Sequence, residues 1–272
     1  MPHQFKHFIV TRFNLKQNIW LTDKLGSKVN DEKWLESRYQ LFSKYCFPSL
    51  VSQECTNFVW LVFFDDDTPL KFKEMNEEFR MRMNNFIPVY VPGFKEFEKE
   101  LPIQIKKHSD GNTNYIMTTR LDNDDALHKD AVCVLQEHFE PVDHAIIDLK
   151  NGLALQIGHT NKLSLRNGIT SGPFVSLIEQ LKDEKEMMTV YDREHTNWLG
   201  DAHFINVDKG HYWLQVIHKR NISNDLGNEL TFNSSYLKGF EIDDTIKFSF
   251  RYYIFIILKR LKLLGLIKKV KQ

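Results

Sequence analysis

The segment Phe58-Val59-Trp60-Leu61-Val62-Phe63-Phe64 constrains the fold more than any other part of the chain. It is apolar at every position, so a strand built from it has two dry faces. Such a strand belongs between two helical layers. Three further short runs read as strands: His7 to Arg12, Phe86 to Val91, and Tyr115-Ile116-Met117-Thr118-Thr119. Helical patterns lie between them. Trp34, Leu35, Tyr39, Phe42, Tyr45 and Cys46 fall near helical spacing, with Asn30 or Asp31 as the cap and Pro48 after the end. A second helix is expected to begin with Thr68 as N-cap and Pro69 in its first turn, and a third to span Leu127 to Phe139. Beyond Pro141 the pattern loosens into Ala145-Ile146-Ile147-Asp148-Leu149, several short strands, and a helix near Pro173 to Leu181. The alternation predicts an α/β fold, an open and mainly parallel sheet flanked by helices, with an irregular second half. No repeat or low-complexity linker divides the chain. Residues 1–245 read as one domain and 246–272 as a basic, apolar C-terminal helix.

In open α/β sheets ligands bind at the carboxyl ends of the strands, so polar clusters there carry the chemistry. Directly after the fourth run stands Thr118-Thr119-Arg120-Leu121-Asp122-Asn123-Asp124-Asp125. In extended backbone Asp122 and Asp124 project to one side. Two carboxylates that close repel unless one is protonated or a cation lies between them. Oxygen ligation favours Mg²⁺ or Mn²⁺ over zinc. The alternative is capping, with Asp125 as N-cap of a helix starting at Ala126 and Asp124 near its positive end. A second cluster, Asp65-Asp66-Asp67, follows the dry strand. Asp67 and Thr68 suit a capping role, which leaves Asp65 or Asp66 to accept hydrogen bonds from a nucleotide base or ribose. At the end of the first strand, Arg12 can pair with phosphate and Phe13 can stack on a base, or both can simply pack. His218 closes the run Trp213 to Ile217 and reads as a further ligand or as a structural histidine. His195 and Asp201 are candidate general bases.

The formal net charge is zero, from 36 basic and 36 acidic residues. That balance argues against a general nucleic-acid binder. It also hides a gradient. Residues 247–272 hold eight basic side chains and no acid, leaving 28 basic against 36 acidic, a net of −8, on the rest. The tail reads either as a helix packed on the domain or as a peripheral anchor on anionic lipid. Cys46, Cys55 and Cys133, odd in number and at no ligand spacing, fit a reducing compartment with free thiols. The N-terminus shows no secretory signal pattern and no apolar run is long enough to span a bilayer. The expected location is cytoplasmic, with a peripheral contact on the inner face of the cell membrane.

An Asp-x-Asp after the fourth strand of an open α/β sheet resembles the GT-A nucleotide-sugar glycosyltransferases. More closely, the chain resembles the bacterial putative rhamnosyltransferase family. The segments that carry the likeness are His7 to Asn14, Trp60 to Asp65, Thr118 to Ala126, Asp148-Leu149-Lys150-Asn151-Gly152, His195, and Trp213 to His218 with Asn221-Ile222-Ser223. They span about residues 5–225. The resemblance implies a GT-A-like sheet and a Mn²⁺ or Mg²⁺ ion held by Asp122 and Asp124, with Asp125 beside them and His218 as third ligand. It further implies a nucleotide-sugar donor near Arg12, Phe13, Asp65, Asp66, Arg120 and Asp122. A sugar, with rhamnose as the family name suggests, would pass to a saccharide or lipid-linked acceptor, with Asp201 or His195 taking the proton. A nucleotidyl- or sugar-phosphate transferase would need the same oxygen-ligated metal and more basic residues at the phosphate site. A non-catalytic membrane-associated relative would be expected to have lost the acids.

Overall fold

The computed structural model describes residues 5–17, 29–182, 186–219, 225–242, 246–248 and 250–260. Strand β2 (Val59–Asp65) is dry on both faces, as its sequence requires. Trp60, Val62 and Phe64 enter one core with Trp34, Leu35 and Tyr39 of α1 (Glu32–Leu41), Phe47 of α2 (Phe47–Val51), and Phe72 and Phe79 of α3 (Leu70–Arg82). Leu61 and Phe63 enter a second core with Phe97, Leu101 and Ile105 of α4 (Phe94–His108). The same alternation holds on β1 (Phe5–Arg12), where Ile9 faces the first core and Phe8 and Val10 the second. Removing one such buried Phe side chain costs about 3–5 kcal/mol.

The large sheet has seven strands in the order β10-β6-β9-β4-β1-β2-β3. Its members are β3 (Phe86–Val91), β4 (Tyr115–Arg120), β6 (Ala145–Leu149), β9 (Ser176–Gln180) and β10 (His203–Val207), with β1 and β2. Pairs β3–β2, β2–β1, β1–β4 and β6–β10 are parallel. Strand β9 lies antiparallel between β4 and β6. The predicted open, mainly parallel sheet is therefore present. A second, five-stranded sheet runs β12-β8-β7-β11-β5, built from β5 (Ala126–Leu127), β7 (Gly152–Gln156), β8 (Lys162–Arg166), β11 (Trp213–Ile217) and β12 (Glu229–Thr231). Of the five passages between the sheets among the described residues, one crosses from β4 to β5 through Asp122–Asp125 and a second from β6 to β7 through Lys150 and Asn151. At the second crossing a Cβ on Gly152 would sit 2.0 Å from the Trp213 ring. Only glycine lets that indole close in, and its Nε1–H then donates to the Leu149 carbonyl at 2.8 Å.

Several local expectations need correcting. Pro48 does not end the first helix: the chain continues through a π-helical turn, Phe42–Cys46, into α2, where Pro48 occupies the first turn and needs no N–H donor. Helix α3 begins at Leu70, with Pro69 at the cap position. No helix covers Leu127 to Phe139 as a whole. Ala126–Leu127 pairs with β11, and the helix α5 is only Ala131–Glu137. The segment near Pro173 to Leu181 contains β9, because its Leu177 and Ile178 fill opposite faces of the sheet. Helix α4, absent from the reading above, carries Pro102 in its interior, which obscures the stripe Phe97, Leu101 and Ile105. Cys55 and Cys133 form a disulfide with Cα atoms 5.1 Å apart, against the expectation of free thiols, while Cys46 is buried and unpaired. A pairing 78 residues apart in sequence has no spacing signature.

Helix α6 (Phe250–Arg260) follows the second sheet, and Lys262, Lys268, Lys269 and Lys271 of the basic tail lie outside the described residues. Among the described residues no helix is long and apolar enough to cross a membrane.

His7 on β1 is 1% exposed, its Nε2 lying 2.8 Å from Thr119 Oγ1 and its Nδ1 3.3 Å from Gln136 Nε2. Burial lowers its pKa to about 3. The unfolded chain therefore binds a proton at about pH 6.5 that the native chain refuses, so stability present above that pH is lost as pH falls toward 3. In urea titrations between pH 6 and 4, His7→Gln should flatten the stability-versus-pH slope by about 1.4 kcal/mol per pH unit. Equal slopes would exclude a neutral buried imidazole.

Candidate active site

Strands β2, β1 and β4 are consecutive and parallel, so their carboxyl ends emerge side by side. Two asparagines fasten these ends together. Asn14 Oδ1 accepts the Asp65 N–H at 3.2 Å and its Nδ2 donates to Thr68 Oγ1 at 3.0 Å. Asn123 Nδ2 donates to the Phe13 carbonyl at 2.8 Å. Sequence-distant polar groups are thereby fixed around one crevice.

Asp122 to Asp125 is a turn, closed by the Asp125 N–H to the Asp122 carbonyl at 3.3 Å. Strand alternation therefore does not govern its side chains, and each carboxylate meets its own partners. The Asp122 side chain is 41% exposed, with Oδ1 3.6 Å from Arg120 Nε. Asp124 is 5% exposed. It accepts Arg38 NH1 at 2.7 Å and His218 Nε2 at 2.8 Å. Burial opposes its ionisation, yet Arg38 and His218 hold the carboxyl down at about 2. Asp125 is buried and accepts the Val216 N–H of β11 at 2.8 Å. Burial, then the charges of Asp124 and Asp122, push its pKa up. Its expected alternative, capping a helix from Ala126, does not apply because Ala126 is in β5.

A cavity of about 640 Å³ opens beside the ends of β1 and β2, with Arg12, Lys16, Asp65, Asp66, Phe94 and Glu194 in its wall. Asp65 is 1% exposed and accepts the Lys16 N–H at 3.1 Å. Burial, then Asp67, raises its pKa, whereas Asp67, with Asp65 and Lys16 beside it, is lowered. Asp65, Asp66 and Asp67 place one donor atom each within 4.8 Å of one another, and the Lys16 ammonium pairs with both Asp65 and Asp67. Phe13 is 4% exposed and packs with Tyr39, Phe64 and Phe42 at 4.5, 4.9 and 5.3 Å. Its ring is committed to the core, and the ring in the cavity wall is Phe94. Arg12 lies 4.6 Å from the Tyr191 ring and 5.2 Å from Phe94, and Arg120 lies 5.5 Å from Tyr191. Tyr191 thus spaces two cations that would otherwise repel.

Of the two candidate bases, His195 has Nδ1 2.6 Å from the Ser171 carbonyl. That contact makes Nδ1 the protonated nitrogen and leaves Nε2 a lone pair. Asp201 is bound by His144, at 3.3 Å, and by Arg193, which lower its pKa. The structure brings Asp124 and His218 together, and Arg120 beside Asp122; it puts Arg12, Asp65 and Asp66 on one cavity. Sequence reasoning passed over Arg38, Lys16, Tyr191 and Glu194. None stands in a motif, and Arg38 reaches Asp124 across 86 residues of chain.

The crevice defines a class: an open α/β protein with an acidic turn where parallel strands end. The family model described as putative rhamnosyl transferase matches residues 10–229, and the chain belongs to that family of glycosyltransferases. A search of curated proteins returned no match. Among solved structures, S. aureus TarS 1–349 in complex with UDP is 12% identical, with a TM-score of 0.45 over 78% of this chain and 60% of that one. The same TarS fragment with UDP-GlcNAc is 14% identical, with a TM-score of 0.43 over 81% and 60%. The inositol-1-phosphate CTP transferase from T. maritima is 12% identical, with a TM-score of 0.30 over 89% and 98%. The chain spans less than two thirds of the TarS chains it matches.

Arg38→Met removes one cation from a carboxylate that burial penalises. It should destabilise the fold by about 3 kcal/mol in chemical denaturation. Adding Asp124→Asn should restore part of that loss, because the uncompensated charge goes with it. A strictly additive double variant would refute the coupling.

Proposed function

We propose that this glycosyltransferase transfers a sugar from a nucleoside-diphosphate donor, lying across the ends of β1, β2 and β4, to a hydroxyl of a saccharide or lipid-linked acceptor. One observation carries the reading: Arg12, Asp65 and Asp66, far apart in sequence, line one 640 Å³ cavity where parallel strands end, and the Asp122–Asp124 turn follows the neighbouring parallel strand β4. In that cavity Asp65 and Asp66 are acceptors for the N–H and O–H groups of a base and ribose. Arg12 offers a planar fork to phosphate, and Phe94 an apolar ring. The family description supports rhamnose as the sugar.

The donor chemistry suits Mn²⁺ or Mg²⁺. Asp124 Oδ2 and His218 Nε2 lie 2.8 Å apart, and Asp122 is half exposed in the same turn. One imidazole beside carboxylates favours Mn²⁺ of the two. Asp124 and His218 would hold it once Asp122 is drawn in from the solvent edge, since among the described residues only Asp65, Asp66 and Asp67 bring three such ligand atoms within 4.8 Å, and Asp125 would brace the turn through Val216. Such an ion offsets charge on the departing diphosphate. The acceptor oxygen bonds to the anomeric carbon as the bond to the diphosphate oxygen breaks. The nucleoside diphosphate leaves with the electron pair, and the hydroxyl proton passes to His195 Nε2. His195 suits this role better than Asp201, whose carboxylate is already bound by Arg193 and His144. The reading puts the enzyme at the cytoplasmic face of a membrane, supported by the basic tail and by Ile254, which is exposed on α6.

The test is a thermal-shift panel of UDP, GDP and dTDP sugars with and without Mn²⁺, followed by assay of nucleoside-diphosphate release. One nucleotide should stabilise the fold by mass action. Asp124→Asn should cut turnover at least about 100-fold, the scale of losing one preorganised electrostatic group. Full turnover in that variant, or in excess chelator, would overturn the metal assignment.

A further inference from the structure

A second cavity, of about 490 Å³, shares no wall residue with the first and reaches Asp124 through His218. Strands β7 and β11 run parallel and end together, with Ile157 N–H donating to the Ile217 carbonyl at 2.9 Å. One wall is the turn from β7 into β8. Another is α6, which the Tyr252 hydroxyl pins to β8 by donating to the Leu163 carbonyl at 2.8 Å and accepting its N–H at 3.1 Å. That docking brings Arg251 to the cavity beside Lys162 and Lys219, with Ile157 and Phe255 as apolar wall.

The charge here differs from that of the first cavity. Among the described residues no carboxylate lines it. Among the described residues, Lys162, Lys219 and Arg251 have no ion-pair partner, whereas Lys16 pairs with Asp65 and Asp67, and Arg120 with Asp122 and Glu194. Three cations around one concavity repel each other, and low-dielectric walls focus their field. On a chain whose first 246 residues carry a net charge of −8, that concentration of positive charge needs an anion. Arginine and lysine together suit phosphate oxygens, the one by its fork and the other as a point charge.

We propose that Lys162, Lys219 and Arg251 form a phosphate subsite for the acceptor, which is therefore a saccharide carrying a phosphate or diphosphate. The assignment rests on the glycosyl-transfer reading above. The first cavity supplies acceptors for a base and ribose, while this one supplies cations and an apolar wall. Phe255, 39% exposed, offers its ring to the C–H face of a sugar. This cavity reaches the Asp124–His218 pair through His218, while the first opens at the ends of β1 and β2, neighbouring strands of the large sheet.

The experiment is calorimetry on the full chain with glucose 1-phosphate, glucose and pyrophosphate as probes, each with and without the best-binding nucleotide among UDP, GDP and dTDP. Glucose 1-phosphate should bind wild-type protein in the presence of saturating nucleotide, and glucose should not. Lys162→Gln/Arg251→Gln should weaken the sugar phosphate at least tenfold and leave nucleotide affinity within twofold. Lys219→Gln, at an exposed position, should weaken the sugar phosphate in the same direction and guards against misfolding of the double variant. Two results would overturn the proposal. Weakened nucleotide binding with unchanged sugar-phosphate binding assigns the cations to the donor, and no binding of glucose 1-phosphate or pyrophosphate leaves no anion subsite. Absence of nucleotide binding strikes the donor reading instead, and the sugar-phosphate titrations still judge the subsite.

Discussion

An ionised carboxylate at 5% exposure needs polar partners beside it, and Asp124 has the Arg38 guanidinium and the His218 imidazole. The three belong to different parts of the fold. Arg38 comes from α1 on one face of the large sheet, Asp124 from the turn after β4, and His218 from the end of β11 in the second sheet. The Arg38 guanidinium also lies 5.0 Å from the Trp34 ring and donates to Asn123 Oδ1 at 3.3 Å. One charge-assisted junction therefore fixes a helix and two sheets relative to each other. Neighbouring contacts repeat the pattern: Asp125 holds the Val216 N–H, and Asn123 holds the end of β1. The turn to which we assign the chemistry is also the hinge of the architecture, so its acids hold the fold together.

Much of this was legible in the chain. The unbroken apolar run of β2 dictated a two-faced core, and the parallel sheet followed. Asp65 and the Asp122–Asp125 segment were marked by being charged where a dry strand stops. What could not be read was contact across long separations. Arg38 lies 86 residues from Asp124, and Cys55 lies 78 residues from Cys133. No local pattern encodes either. The second half was misread where periodicity is ambiguous, since a short apolar run such as Val175 to Ile178 fits a helix or a buried strand equally well.

Phe13 shows the limit of reading by position. It follows Arg12 at a strand end, where a base-stacking ring would be useful, yet backbone alternation turns it into the core against Tyr39, Phe42 and Phe64. Phe94, at the start of α4, stands in the cavity instead. The crevice is assembled from loops and helix ends of several elements, and strand ends only mark its floor.

Asp122 and Asp124 illustrate how a right location can come with the wrong geometry. Period-two alternation puts them on one side of an extended strand, but the backbone turns at Asp122, and the two carboxylates find separate partners. The turn has a physical cause. Leu121 is fully buried and its N–H donates to the Val10 carbonyl at 3.1 Å, whereas five residues on, Ala126 pairs with Leu214 in the other sheet. A chain that must leave one sheet and enter another within that interval cannot stay extended along the first. The acidic residues lie where the backbone changes sheets, which leaves Asp122 at the solvent edge and draws Asp124 inward to Arg38 and His218. Exposure, and with it the capacity to meet a ligand from outside, is thus divided unequally between two acids that the sequence presents as a pair.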